Sequence, residues 1–313
     1  MTPTSKAQLQ IHFCVLLWGF TAILGKLITL PALPLVWWRM LLVVAALALV
    51  PRVWRGLRTM SPKLMLAYAG IGALVALHWL TFYGAIKLSN ASVGVTCMAL
   101  GTVFVAMIEP WLARTRFSKR ELALGLMVLP GVVLVVGGVP AGMRAGIAVG
   151  TVSALLVAVF GSLNKRLVEH GDPLTVTALE LGAGTLVLTL LAPLMPLLFP
   201  AFAGPLLVLP GGHDIALLLV LSLACTLLPF TLSLVALRHM SAFAQQLAVN
   251  LEPVYAIVLA ALLLGEQREL TGLFYAGVVI ILAAVFIHPL LGKPRPLQQP
   301  EMLGTAEAKG AAE

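Results

Sequence analysis

Apolar residues form long blocks along this chain, and short breaks rich in proline, glycine or charge separate the blocks, as at residues 171–173 and 200–212. An α-helix needs about 20 apolar residues to cross the ~30 Å hydrocarbon core of a bilayer. The pattern therefore predicts an all-α integral membrane protein with ten transmembrane helices. These ten spans are predicted at residues 10–28, 34–51, 63–86, 91–113, 121–139, 145–167, 174–199, 214–237, 243–264 and 270–290.

The composition excludes an ordinary soluble protein. Hydrophobic residues make up 60% of the 313 residues and charged residues 10%, whereas soluble domains have about 45–50% and about 25%. Cys14, Cys97 and Cys225 all lie in apolar blocks without CxxC spacing. We interpret them as small buried hydrophobic side chains.

Lysine and arginine concentrate in every second break between the spans. With the N-terminus placed in the cytoplasm, 15 of the 20 basic residues fall in cytoplasmic segments and 4 in outer segments. Basic residues accumulate in cytoplasmic loops, so we expect a multi-pass protein of the cell inner membrane with both termini cytoplasmic. This distribution also accounts for the net charge of +8 without nucleic acid, which we do not expect as a partner.

Short motifs recur between the two halves of the chain. Arg-Glu-Leu opens span five at residues 120–122 and span ten at 268–270, and Pro-Leu opens spans two and seven at 34–35 and 173–174. Lys26 and Lys165 occupy the ends of spans one and six. Two units of five spans are predicted, and because five is odd, the second must be inverted. Many secondary transporters have such inverted repeats, with the substrate site between them near the membrane midplane.

Two stretches of the sequence carry a family resemblance. Residues 251–270, LEPVYAIVLAALLLGEQREL, continue as TGLFYAGVVIILAAVFI, and residues 18–28 read WGFTAILGKLI. They resemble the EamA family of the drug/metabolite transporter superfamily. The resemblance implies a ten-helix exporter of small metabolites, often amino acids or drug-like amines. It covers roughly residues 9–139 and 145–288, one five-helix repeat each.

The two predicted repeats differ where span four is compared with span nine. Residues 101–102 are Gly-Thr where span nine has Glu252-Pro253, and Glu-Pro comes some eight residues later, at 109–110. We therefore expect the first half to bend at a different depth. The tail, residues 292–313, has no periodicity and is expected to be a disordered cytoplasmic segment.

Span nine contains the main candidate substrate-binding residues. Glu252 lies roughly 13 Å into this span, near mid-depth, where a charge costs about 2.5–3.5 kcal/mol. Pro253 removes a backbone hydrogen bond and predicts a bend in the helix. Gln246 and Asn250 fall on an adjacent arc. We predict that Glu252 binds a substrate amine or carries a proton, with Gln246 and Asn250 as hydrogen-bond partners. The alternative is an interhelical seam that only holds the fold.

Other spans add four candidate substrate-binding residues. Trp18, His78 and Trp79 would offer aromatic surface to an apolar or cationic group, although each also fits a role in packing. Glu180 either faces the same cavity or reaches the cytoplasmic surface.

Three further features are interpreted structurally. Arg39 lies in span two close enough to the outer surface for its long side chain to reach water. Glu109 is expected to form an ion pair with Arg114. Glycines at residues 142, 146 and 150 form GxxxGxxxG, which favours close helix packing.

Motifs of the common catalytic classes are absent from the sequence: it contains no HExxH, GxSxG or GxxxxGK[ST]. We therefore expect no enzyme activity, no metal and no cofactor. The predicted function is secondary transport of small metabolites, such as amino acids or amphiphilic amines, out of the cell by alternating access. Three alternatives remain: a membrane enzyme, a non-transporting sensor or scaffold, and an exchanger of organic phosphates or nucleotide sugars. The sequence does not define the oligomeric state.

The distribution of basic residues generates a topology prediction. Reporter tags on both termini should report the cytoplasm, and Lys87→Cys should react with a membrane-impermeant thiol reagent added outside. A C-terminal tag that reports the outer side would imply an odd number of spans and contradict the inverted repeat.

Overall fold

The computed structural model describes residues 2–287, and its regular elements in this range are all helical. The predicted disordered tail, 292–313, lies outside the described residues. The helices are α1 Pro3–Leu27, α2 Ala32–Ala48, α3 Pro51–Thr59, α4 Pro62–Leu88, α5 Ala91–Cys97, α6 Leu100–Leu112, α7 Lys119–Leu126, α8 Leu129–Gly137, α9 Arg144–Leu167, α10 Pro173–Leu191, α11 Met195–Leu198, α12 Gly212–Leu219, α13 Leu228–Leu237, α14 Ala242–Val249, α15 Glu252–Leu264 and α16 Gly272–Ile287.

Within residues 2–287, eight helical segments are long and apolar enough to cross a membrane, and α2 with α3 would make a ninth. Helix α16 is apolar but shorter over its described residues. The all-helical, multi-pass class is thus confirmed, whereas ten spans stay a prediction. All three cysteines are buried and free, as expected.

A sharp bend follows α2, where the sequence pattern predicted only a break. Helix α3 begins at Pro51 and lies at 92° to α2. Its Arg52 pairs with Asp172, the N-cap residue of α10. Gly56 packs so closely that an added Cβ would lie 2.2 Å from the Thr175 hydroxyl. This bent helix therefore ties the end of α2 to the start of α10.

Helix α4 packs along both α9 and α10, and α8 packs along α16. Glycines allow these close approaches: a Cβ on Gly72 would lie 2.0 Å from the Glu180 carbonyl oxygen, and one on Gly131 would lie 2.6 Å from that of Gly277. Gly146 and Gly150 also have close neighbours on α4 and α5, as the GxxxGxxxG motif predicts. The third glycine, Gly142, has open space around it.

Two antiparallel helices of the bundle are broken at matching positions. The first break separates α5 from α6 at residues 98–99, and the second separates α14 from α15 at residues 250–251. Each break follows a first helical piece of similar length, so the expectation that the first half bends at a different depth is wrong. A proline is not needed for the first break, since Gln246 Nε2 donates a hydrogen bond to the Met98 carbonyl there, at 3.2 Å.

Each broken helix ends in a glutamate that caps the start of the other. The end of the bundle at which α14 begins is called the near end. The opposite end, at which α5 begins, is called the far end. At the near end, Glu109 accepts hydrogen bonds from the backbone N–H groups of Ala242 and Phe243, at 2.9 and 2.7 Å. The predicted Glu109–Arg114 ion pair is therefore wrong, because this carboxylate is buried against a helix start 133 residues away.

The far end has the equivalent arrangement. Glu266, just after α15, accepts hydrogen bonds from the backbone N–H groups of Ala91 and Ser92, both at 2.9 Å, and from the Ser92 hydroxyl at 2.7 Å. The first N–H groups of a helix have no partner within the helix, and a carboxylate there also interacts favourably with the helix dipole. The four helical pieces are thereby joined into one antiparallel unit.

These caps generate a stability prediction. Glu109→Gln and Glu266→Gln keep the side-chain shape but remove the charge, so each should lower the free energy of unfolding by about 1–3 kcal/mol. The melting temperature in detergent micelles measures the effect, and exposed Glu169 provides the control Glu169→Gln. The double variant should show nearly additive losses, because the caps lie at opposite ends of the bundle. Cap variants that melt with the control would contradict this role.

Candidate functional site

A cavity of about 110 Å³ lies between the two broken helices and helices α1, α2, α4, α9 and α13. It has room for several water molecules or a small metabolite, since one water needs about 10–15 Å³ by this measure. Its polar and aromatic lining residues are Trp18, Thr21, Arg39, His78, Trp79, Phe82, Phe160, Phe230, Ser233, Gln245, Gln246 and Glu252.

Arg39 lies in the cavity wall and is only 2% exposed. The interpretation that it reaches water at the outer surface is wrong, because three neighbours hold its guanidinium inside the bundle. Its Nε donates to the Thr226 hydroxyl at 2.6 Å, one terminal nitrogen donates to the Tyr83 hydroxyl at 2.9 Å, and the group lies 3.9 Å above the Trp79 ring. This cation–π contact helps to hold the planar guanidinium in one position.

A π-helical turn at Val220–Leu227 presents Thr226 to this arginine. The Thr226 hydroxyl donates to the Leu221 carbonyl, five residues back, at 2.6 Å, and can therefore accept from Arg39. Such turns occur often at functional sites.

Glu252 lines the same cavity as the first residue of α15 and is 6% exposed. Gln245 and Gln246 line it from α14. Gln246 also bonds the break of the opposite helix, and a Cβ on Gly101 would lie 2.7 Å from its Nε2. The helix breaks therefore bring polar groups of span nine to mid-bundle.

The three predicted aromatic residues also line the cavity. His78 Nδ1 lies 2.9 Å from both the carbonyl oxygen and the hydroxyl of Ser153, and its ring packs on Phe160 with centroids 5.4 Å apart. Trp79 meets Phe230 edge to face. These contacts hold the aromatic wall in place.

Three of the residues singled out in the sequence lie elsewhere. Asn250 donates to the Thr102 hydroxyl at 2.8 Å and serves the contact between the broken helices. Glu180 is fully buried beside Asn164, away from the cavity lining. Pro253 is the second residue of α15, after the break.

Proline has no backbone N–H, so Pro253 cannot donate a helical hydrogen bond to the carbonyl of Val249. Val249 is one of the residues that line the cavity.

Arg39 and Ser233 are the main lining residues that the sequence pattern did not assign to the site. For Arg39 a signal was present, since an ionisable residue within a span is by itself a reason to expect a functional site. For Ser233, in an apolar segment, there was none.

Hydrogen bonds tie the helix ends together at the far end of the bundle. The Thr29 backbone N–H and hydroxyl donate to Asp214, at 3.0 and 2.6 Å. Lys87 donates to the Ile28 carbonyl, and Lys26 to that of Ser89. The cavity lining instead extends from mid-bundle to Ala242 at the near end.

Comparisons with known proteins agree with this architecture. The model of the EamA-like transporter family matches residues 5–137 and 144–288. The chain belongs to this family. Family membership supports a membrane transporter built from two repeats. No curated protein matches the chain in sequence.

Solved structures also match the EamA-like chain. One, described only as "Crystal structure of protein", is 18% identical, with a TM-score of 0.66 over 92% of this chain and 97% of that one. At this identity it shows similarity of fold alone.

The cavity generates an accessibility prediction. With Cys14, Cys97 and Cys225 replaced by alanine, Ser233→Cys should react with N-ethylmaleimide, because Ser233 lines the cavity. Ser222→Cys is the matched control, since Ser222 is buried outside the lining and should stay unmodified. Gly161→Phe should slow the reaction at Ser233→Cys, whereas Gly70→Phe should not. A Cβ meets open space at both glycines, but only Gly161 lines the cavity. Equal labelling at positions 233 and 222 would argue against a wet cavity.

Proposed function

We propose that this EamA-like protein is a secondary transporter that exports small zwitterionic metabolites, with amino acids as the leading class. One observation carries the proposal: Arg39 and Glu252 line the same cavity, both buried. In the part of the chain that the structure describes, neither forms an ion pair. Burying two unpaired charges is costly, and a ligand with both charges would offset that cost.

The arrangement favours one orientation of such a ligand. Arg39 is held by Thr226, Tyr83 and Trp79, and a guanidinium has five N–H donors, which leaves donors for a carboxylate. Glu252 would accept an ammonium group. The aromatic wall would contact the side chain of the substrate, and Gln245 and Gln246 would add hydrogen bonds.

The proposed architecture is ten spans in two inverted repeats, at residues 9–139 and 145–288. The reciprocal caps of Glu109 and Glu266 support it, because a two-fold relation between the halves generates matched contacts of this kind. With both termini in the cytoplasm, the near end is the cytoplasmic end. A cavity that reaches the near end while hydrogen bonds tie the helix ends together at the far end would then be ready to load substrate from the cytoplasm. Rocking of the halves would expose it outside.

The alternatives have less support. Organic phosphates and nucleotide sugars call for several cations, and Arg39 is the single Lys or Arg in the described cavity lining. A non-transporting scaffold has no need for two unpaired buried charges in a cavity. A membrane enzyme would need a second acid or a histidine in contact with Glu252. The described lining contains no second acid, and the Nδ1 of its histidine, His78, is engaged by Ser153.

Counterflow in proteoliposomes tests the function. Vesicles loaded with an unlabelled compound should accumulate its radiolabelled form, and the panel should contain amino acids, amines and phosphorylated sugars. We expect amino acids to exchange fastest. Exchange of phosphorylated sugars alone would establish the competing substrate class, and no exchange of any compound would favour the scaffold.

Paired variants test the orientation of the ligand. Glu252→Gln should raise the half-saturation concentration for phenylalanine about 10–100-fold, the equivalent of losing a charge-assisted hydrogen bond of about 1.5–3 kcal/mol. It should barely change inhibition by N-acetylphenylalanine, which has no ammonium group. Arg39→Gln should also raise the half-saturation concentration for phenylalanine. It should barely change inhibition by phenylalanine amide, which has no carboxylate group. Rates are compared at equal membrane abundance, with Glu169→Gln as control. Variants that match the parent on every compound would leave Glu252 and Arg39 as structural residues.

A further inference from the structure

Buried glutamates in the bundle have different surroundings, and Glu180 has the least compensation. Glu109 and Glu266 accept hydrogen bonds from backbone N–H groups, and Glu252 shares a cavity with Arg39. Glu180 is 0% exposed and accepts one long hydrogen bond, 3.4 Å, from Asn164 Nδ2. Its Oε1 and the Asn164 Oδ1 have no hydrogen-bond donor among the described residues.

Among the described residues, the charged groups on the neighbouring helices are engaged elsewhere. On α9, Lys165 lies next to Asn164 in the chain and donates to the Leu237 carbonyl at 2.7 Å. From α4, Tyr68 donates its hydroxyl to the Leu167 carbonyl at 2.7 Å. From the end of α13, Arg238 donates to the carbonyls of Val168 and Gly171. From α13 itself, Thr231 faces Thr177.

The arginines on the other neighbouring helices are also engaged or exposed. Arg39 on α2 bonds Thr226 and Tyr83. Arg52 on α3 pairs with Asp172, while Arg55 and Arg58 on that helix are exposed. An ionised Glu180 would thus be an unpaired buried charge, which proteins avoid.

We propose that Glu180 and Asn164 form a proton-binding site, separate from the substrate cavity, whose proton is coupled to transport. This rests on the proposed function. The proton converts the carboxylate to a carboxylic acid, whose O–H can donate to the amide oxygen of Asn164. In this hydrogen bond, the protonated Glu180 Oε1 is the donor and Asn164 Oδ1 is the acceptor, so both oxygens gain a partner. A bound Ca²⁺ or Mg²⁺ ion would need about six oxygen ligands, whereas Glu180 and Asn164 offer three side-chain oxygens.

The position of the site suits coupling, because it lies where the two halves meet. Helix α10 of the second half packs on α4 of the first, with Gly72 against the Glu180 backbone. A narrow crevice lined by Tyr68, Asn164, Gly171 and Pro173 lies between Asn164 and the loop that joins α9 to α10 at the near end, and it is too small to hold a water molecule. Opening of this crevice would let protons exchange with the near end. Rocking of the halves changes the α4–α10 contact and would expose Glu180 to the other side.

Two measurements on the full chain test the proposal. In proteoliposomes that contain a pH-sensitive dye, a phenylalanine gradient should drive proton movement through the parent protein. Glu180→Gln mimics the protonated acid, so it should keep phenylalanine counterflow but lose proton movement and any acceleration by a pH gradient. Glu169→Gln is the exposed control. Parental counterflow without proton movement, or proton movement unchanged in Glu180→Gln, would overturn the coupling and leave the transport function intact.

Infrared spectroscopy detects the protonated carboxylic acid in an experiment that does not depend on transport. The spectrum of the parent minus that of Glu180→Gln should contain the C=O stretch of a protonated carboxylic acid at neutral pH. Asn164→Leu should shift this band, because the acid loses its hydrogen-bond acceptor. Absence of the band would overturn the site even if phenylalanine is not a substrate. A melting temperature of Glu180→Gln equal to the parent's verifies that the variant is folded. If the band is present but no amino acid of the panel shows counterflow, the result would count against the proposed function and so remove the coupling.

Discussion

The carboxylates of Glu109 and Glu266 join the two broken helices, and the geometry of the whole centre depends on them. A helix that starts in a buried part of a bundle has free N–H groups that water cannot reach, and leaving such a group without a partner costs several kcal/mol. Here each broken helix receives the missing acceptor from the last turn or end of its antiparallel partner. This reciprocity places the breaks at residues 98–99 and 250–251 side by side. Met98 at the first break and Glu252 directly after the second both line the cavity.

The polar groups at the centre form two distinct environments. In the cavity, Arg39 and Glu252 face a common space without a direct ion pair among the described residues, and neighbouring groups hold Arg39 in place. Behind it, Glu180 and Asn164 are packed where α4 and α10 meet. One environment can take a molecule with two opposite charges, and the other has space for little more than a proton. Substrate and driving ion would then be bound by different helices and linked by the same rocking motion.

The sequence predicted the membrane class and the family from hydrophobic block lengths and the motif at residues 251–287, because both signals are local. It failed where the partner is distant. Glu109 was assigned to Arg114, five residues on, whereas its partners lie 133 and 134 residues away. The Arg39 side chain was predicted to reach water at the outer surface, yet it donates a hydrogen bond to Thr226, 187 residues later in the chain.

Helix breaks were hard to place for the same reason. Pro253 marks a break in the sequence, but the break at residues 98–99 has no proline and is completed by Gln246 from the other half. The periodicity around Glu252 and Gln246 did place both toward the cavity, because one helix face is a local property. That argument misplaced Asn250, which lies at the break itself and turns toward Thr102.

The far-end cap has a consequence for biosynthesis. Ala91 and Glu266 are 175 residues apart, and ribosomes add about 5–20 residues per second, so roughly 10–35 s separate their synthesis. During that interval the start of α5 lacks its carboxylate. The first half therefore cannot complete the start of α5 until the second half has been made. A chain truncated before residue 266 would leave the Ala91 and Ser92 N–H groups without this acceptor.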